Sequence, residues 1–160
     1  MKCLKTRTKT LRFSSYSPEE TACLAEKILK ICRARQTRLI LLSGNLGSGK
    51  TVFVQGLART LDVKNWVKSP SFVLIQEYRI PKGRFYKRLI HADLYRLDSA
   101  KDLSGLNLGD YLEDPGNLVA IEWAEKLPRA FWRGEKTVQI FFKPGRRPDF
   151  RAITVKKPYD

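Results

Sequence analysis

A chain of 160 residues is long enough for one buried core and short for a two-domain enzyme, and no apolar run in it approaches the ~20 residues of a membrane span. Its cysteines, Cys3, Cys23 and Cys32, are odd in number and lack the paired spacing of a zinc site, which predicts reduced thiols and a cytoplasmic protein. The formal charge of +15 gathers at the two ends, in Lys2, Lys5, Arg7, Lys9 and Arg12 and in Lys143, Arg146, Arg147, Arg151, Lys156 and Lys157; such a surface attracts polyanions such as RNA, and plain solvation of basic side chains explains it equally well.

The basic, Ser- and Thr-rich start has the composition of a transit peptide but is short for one, and TLRF at 10–13 predicts a first strand, so it is read as mature chain. Ser17, Pro18 and Glu20 form a capping-box helix start. Leu24, Ile28 and Ile31 then recur at helical spacing, with Ala25, Leu29 and Cys32 beside them, predicting a helix to about residue 34 whose cysteines are small core residues. RLILLS at 38–43 is the uninterrupted apolar pattern of a strand buried on both faces. Phe53, Val54, Leu57, Ala58 and Leu61 form the stripe of a second helix. Strands are predicted at 72–78 and 85–90 about a turn at Pro81, Lys82 and Gly83, and at 118–121, ending on Glu122 and Trp123. A last pair, 137–142 and 152–155, flanks the turn PGRRP.

Between the buried strand and the second helix stands GNLGSGKT, residues 44–51. Gly44, Asn45, Leu46, Gly47, Ser48, Gly49, Lys50 and Thr51 satisfy G-x-x-x-x-G-K-[ST] in the strand–loop–helix context that makes the pattern a phosphate loop. Glycines let successive N–H groups converge on a β-phosphate at the positive end of a helix. Lys50 is then placed to neutralise β- and γ-phosphate oxygens, and the Thr51 hydroxyl to bind Mg²⁺. The fold expected is a single α/β P-loop NTPase domain over 1–160, a mixed parallel and antiparallel sheet flanked by helices. Its motif-bearing core spans about 17–127, with a basic strand pair at 136–157.

The metal needs a second anchor, an acid at the end of a neighbouring buried strand. Glu122 closes Leu118-Val119-Ala120-Ile121, and Asp93 follows Leu89-Ile90-His91-Ala92; both stand as candidates. A GTPase is disfavoured because no N-K-x-D base reader is present, and Asp102-Leu103-Ser104-Gly105 alone carries little weight. A transporter ATPase lacks its serine-glycine signature and its length. A small P-loop kinase of a small molecule or RNA end remains open, with Arg84, Lys87, Arg88 and Arg96 as cations over its phosphates or as solvated side chains. The sole histidine, His91, precedes an acid and reads as a hydrogen-bonded structural residue before a base.

The ordered set of residues 44–51, Ser69-Pro70-Ser71-Phe72, His91-Ala92-Asp93-Leu94-Tyr95-Arg96-Leu97 and Ile121-Glu122-Trp123 resembles the bacterial TsaE (YjeE) family over about residues 17–127. The resemblance implies an ATPase, weak alone, required for threonylcarbamoyl modification of the adenosine beside the anticodon in tRNAs reading A-starting codons. It implies action as an accessory factor resetting a complex of TsaD and TsaB, with the basic ends a candidate contact for tRNA or an acidic partner. By position, residues 44–52 would hold ATP, with Thr51 and Glu122 on Mg²⁺ and Asp93 and Lys50 supporting hydrolysis. Ser69 to Phe72, Ser71 included, would form a switch-like segment, and Trp123 would lie by the nucleotide or simply pack as a core aromatic. The sequence departs from the family pattern at Val52, which removes a second hydroxyl, at Ser71 in place of Thr, and at Ala124 in place of Pro.

Overall fold

The computed structural model describes residues 8–70, 73–97, 103 and 105–158. Strands β2 (Leu39–Gly44) and β5 (Asn117–Glu122) lie side by side and parallel at its centre. Their continuous apolar runs follow from burial on both faces. Ile40, Leu42, Leu118 and Ala120 point into one core; Leu39, Leu41, Val119 and Ile121 point into another. β4 (Arg88–Asp93) and β6 (Thr137–Pro144) extend the parallel set outward on either side. Antiparallel β3 (Ile75–Arg79), β7 (Arg151–Pro158) and β1 (Thr8–Ser15) complete the order β1-β7-β6-β2-β5-β4-β3.

Helices α1 (Pro18–Arg35) and α2 (Lys50–Thr60) cover the first core with Ala25, Ile28, Leu29, Phe53, Val54 and Leu57. Ser17 caps α1 as expected, accepting from the Glu20 N–H at 3.2 Å, while the Glu20 carboxylate accepts from the N–H of Tyr16 rather than from that of the cap residue. The two helices touch at Gly56, where a Cβ would stand 2.3 Å from the Ala22 carbonyl oxygen. A short helix, α3 (Leu108–Glu113), and 3-10 turns at Ala124–Lys126 and Arg129–Trp132 lie beyond the periodicity a sequence can show. Leu108, Ala124 and Leu127 join the second core.

The strand limits shift for local reasons. Leu74 adopts φ +65, outside the extended region, so β3 begins at Ile75 rather than at 72. β4 begins at Arg88 rather than at 85 because its parallel partner β5 begins at Asn117, directly across from Arg88. β7 runs longer than expected because β1 pairs along the whole of it, from Thr8 opposite Pro158 to Ser15 opposite Arg151, and β6 extends to Pro144, which pairs with Arg151 of β7. Cys32 is buried, but Cys23 is exposed, off the apolar stripe of α1, which corrects the expectation that both are core residues. Cys3, Ser71 and Phe72 fall outside the described residues. No helix among the described residues is long and apolar enough to cross a membrane.

Candidate nucleotide site

The site forms where β2, β4 and β5 end together and α2 begins. Gly44 leaves β2 at φ +148, and a Cβ there would lie 2.6 Å from the Phe142 carbonyl oxygen on β6 and 2.9 Å from Ser48 Oγ. Gly49, at φ +105, is the N-cap of α2, and no side chain caps the helix, so the first N–H groups of α2 keep their donor capacity for an anion. These glycines are therefore required by close approach and by backbone angle, independently of any ligand.

Lys50 folds back over this loop, donating to the Gly44 carbonyl at 2.7 Å and the Asn45 carbonyl at 3.0 Å. Its ammonium stands 4.1 Å from the centre of the Trp123 ring. Burial draws the Lys50 pKa below the ordinary lysine value, and the carboxylates of Glu122, Glu125 and Asp93 oppose that shift. Trp123 takes a left-handed φ of +58, unusual for so bulky a residue, and thereby turns the chain sharply after β5. Its ring leans on Tyr95 at 5.1 Å.

The two acids nominated by the sequence are brought together: Asp93 and Glu122 sit in register across the parallel pair β4 and β5, and both are buried. They are held differently. Thr51 Oγ1 donates to Glu122, at 2.8 Å from Oε1 and 3.1 Å from Oε2. His91 Nε2 lies 2.8 Å from Glu122 Oε1, and the tautomer carrying the Nε2 proton donates to it. Asp93 instead accepts from the Ser69 hydroxyl at 2.6 Å and from the Tyr95 N–H at 3.0 Å. Both carboxylates are thereby fixed in orientation beside the loop. His91 is a positioning partner of Glu122, in line with the structural reading of it.

One further residue belongs to this neighbourhood and carried no signal in the sequence. Lys126 donates to the Leu97 carbonyl at 2.9 Å and to that of Tyr95, tying the segment after β4 to the turn after β5. Ser48 Oγ is buried in the loop and, among the described residues, has no hydrogen-bond partner. Asn45 and Leu46 occupy the exposed rim, and Val52 is half-buried on the first turn of α2. Arg88 pairs with Glu77 and Asp114 at the start of β4, the end of the strand opposite Asp93, and Arg84 and Lys87 precede it. Those three are therefore not phosphate-facing cations.

A parallel strand ending in a glycine loop, a helix opening from that loop and a buried acid ending the adjacent strand define a P-loop NTPase fold. The solved structure titled "Crystal structure of Bacillus subtilus YdiB" superposes with a TM-score of 0.68 and 30% identity, covering 96% of this chain and 88% of that one. The family model described as "Threonylcarbamoyl adenosine biosynthesis protein TsaE" matches residues 15–149. The tRNA threonylcarbamoyladenosine biosynthesis protein TsaE of Aquifex aeolicus is 42% identical over 113 residues, 69% of this chain and 74% of that protein. The protein of the same name from Bacillus subtilis is 34% identical over 125 residues, 76% of this chain and 73% of that protein. The chain belongs to the TsaE family, threonylcarbamoyl adenosine biosynthesis proteins.

Proposed function

We propose that this protein is a cytoplasmic, Mg²⁺-dependent ATPase that serves threonylcarbamoyl modification of the adenosine beside the anticodon, acting on a TsaD–TsaB complex between turnovers. The observation that carries the reading is the Thr51–Glu122 contact beneath the glycine loop, with Asp93 one strand away in register. That hydroxyl and those carboxylates are hard oxygen donors. Among the described residues no three His, Cys, Asp or Glu side chains cluster as a metal site of their own, so a cation here would complete its shell with phosphate and water oxygens, the habit of magnesium rather than calcium. The orphaned Ser48 hydroxyl and the uncapped start of α2 fit an anionic group in the loop.

On this reading Lys50 exchanges its two loop carbonyls for phosphate oxygens, while residues 44–52 direct backbone N–H groups at the phosphates. Thr51 and Glu122 hold the magnesium, which when bound offsets the charge that builds on the phosphates. Asp93, locked by Ser69 and Tyr95, accepts a hydrogen bond from the attacking water and orients it. Trp123 shields Lys50 from solvent, and Ser69, which opens the switch-like segment, couples phosphate occupancy to Asp93 through its hydroxyl. Turnover by the isolated protein is slow until its partner completes charge neutralisation at the leaving group.

The test is the threonylcarbamoyladenosine content of bulk tRNA, read by nucleoside mass spectrometry after depletion of the protein and restoration of wild type or Lys50→Ala. Loss on depletion with rescue by wild type alone is expected. Unchanged content would remove the modification role, and transfer of labelled γ-phosphate to an acceptor, in place of its release, would replace the ATPase with a kinase.

A further inference from the structure

The half of the sheet farthest from β3 is built differently from the rest. β2 and β5 are covered on both faces, whereas β6, β7 and β1 give only one face to a core: Val138, Ile140, Phe142, Ile153 and Val155 point toward α1 and α2. The alternate positions from Gln139 to Lys143, from Ala152 to Lys156 and from Thr10 to Ser14 all retain solvent exposure, so no described element covers that stretch of the face. Register lays it out in rows. Arg12 stands across from Thr154, which stands across from Phe141; in the next row Lys156 stands across from Gln139, and Lys143 follows Phe141 two residues along β6. Across the three strands there are six Lys and Arg and not one Asp or Glu. The Lys156 ammonium lies 5.0 Å above the Phe141 ring, so an anion drawn to Lys156 arrives directly over an aromatic surface.

We infer that this open face of β1, β7 and β6 is a binding surface for single-stranded RNA. Three strands at about 4.8 Å spacing and five residues along each give a flat platform about 10 Å by 13 Å, room for two or three nucleotides. Phe141 supplies a ring on which a base stacks, Arg12, Lys143 and Lys156 neutralise the phosphates on either side of it, and Thr154 and Gln139 offer hydrogen bonds to sugar and base edges. An acidic protein would satisfy the lysines and leave a central, partly exposed ring among hydrogen-bonding side chains unexplained; a nucleotide chain uses all of them. The inference stands apart from the ATPase reading, because none of these side chains takes part in the glycine loop or its acids.

The experiment measures fluorescence anisotropy of a labelled single-stranded RNA of about 12 nucleotides with full-length protein. Arg12→Glu/Lys156→Glu is compared with Lys82→Glu/Arg84→Glu, an equal charge reversal on the hairpin at the opposite edge of the sheet. The first pair should weaken binding at least about tenfold and the second less than about threefold. Phe141→Leu, which keeps apolar bulk without a ring, should lose about fivefold with an unchanged salt slope. Thermal melts and binding of a fluorescent ATP analogue should stay at wild-type values in all three variants, separating failure here from failure of the nucleotide site. Equal weakening by the two charge reversals, full binding by Phe141→Leu, or equal displacement of RNA by polyglutamate would each overturn the assignment.

Discussion

Replacing Glu122 with glutamine separates the two things this side chain does. The residue is 2% exposed, and burying its charge costs several kcal/mol. Hydrogen bonds from Thr51 and His91, each at 2.8 Å, return about 1.5–3 kcal/mol apiece, so the ion comes close to break-even in the unliganded fold. The glutamine side chain keeps the shape, removes the charge burial and retains neutral bonds worth about 1 kcal/mol each. The Thr51 hydroxyl can rotate to accept from the new amide, and the glutamine oxygen can keep the bond from His91. Glu122→Gln should therefore leave the unliganded melting temperature unchanged or raise it by about 2–4 °C. On the proposed reading, in which Glu122 is the metal's charged protein ligand, magnesium-dependent ATP binding should weaken at least about tenfold, or 1.4 kcal/mol. Differential scanning fluorimetry with ATP, with and without Mg²⁺, reads both quantities at once: the variant should lose the Mg²⁺-dependent part of the ATP-induced shift. A fall of more than about 8 °C without nucleotide, or a retained magnesium increment, would refute the reasoning and make Glu122 a structural node instead.

Other expectations rest on single contacts. Gly56→Ala gains about 0.5–1 kcal/mol of helix propensity but forces α1 and α2 apart at Ala22, and urea unfolding should show a net loss of about 1–2 kcal/mol. Ser17→Ala removes the acceptor for the Glu20 N–H and should cost about 1 kcal/mol, seen as a melting temperature lower by about 2–4 °C. Burial pushes the Cys32 thiol up to about 12. The folded chain thus keeps a proton that the unfolded chain releases at about 8.5. Stability from this group is complete below that pH and is lost as pH climbs toward the folded value, so Cys32→Ala should show a shallower alkaline decline in unfolding free energy. At a pH of about 8, iodoacetamide should alkylate exposed Cys23 and spare Cys32, as peptide mass spectrometry would show.

Much of the site was legible because its chemistry is local. The glycines, Lys50 and Thr51 all lie within residues 44–51, and the strand before them and helix after them announce themselves by periodicity over a single turn or pleat. Glu122 and Asp93 could be nominated for the same reason, each ending its own apolar run. Their pairing could not: Asp93 faces Glu122 only because β4 lies against β5, and the choice of neighbours in a sheet is set by which faces can be buried together. The same tertiary choice puts His91 against Glu122, swings Trp123 over Lys50, and carries Arg88 to the end of β4 opposite Asp93, away from the glycine loop. It also divides the basic residues that a linear reading could only assign to two ends. β1 and β7, separated by almost the whole chain, pair strand to strand and bring Arg12 and Lys156 onto the same face as Lys143 of β6. Sequence alone determined which residues carry charge, hydroxyl and glycine; burial of the apolar faces decided which of them meet.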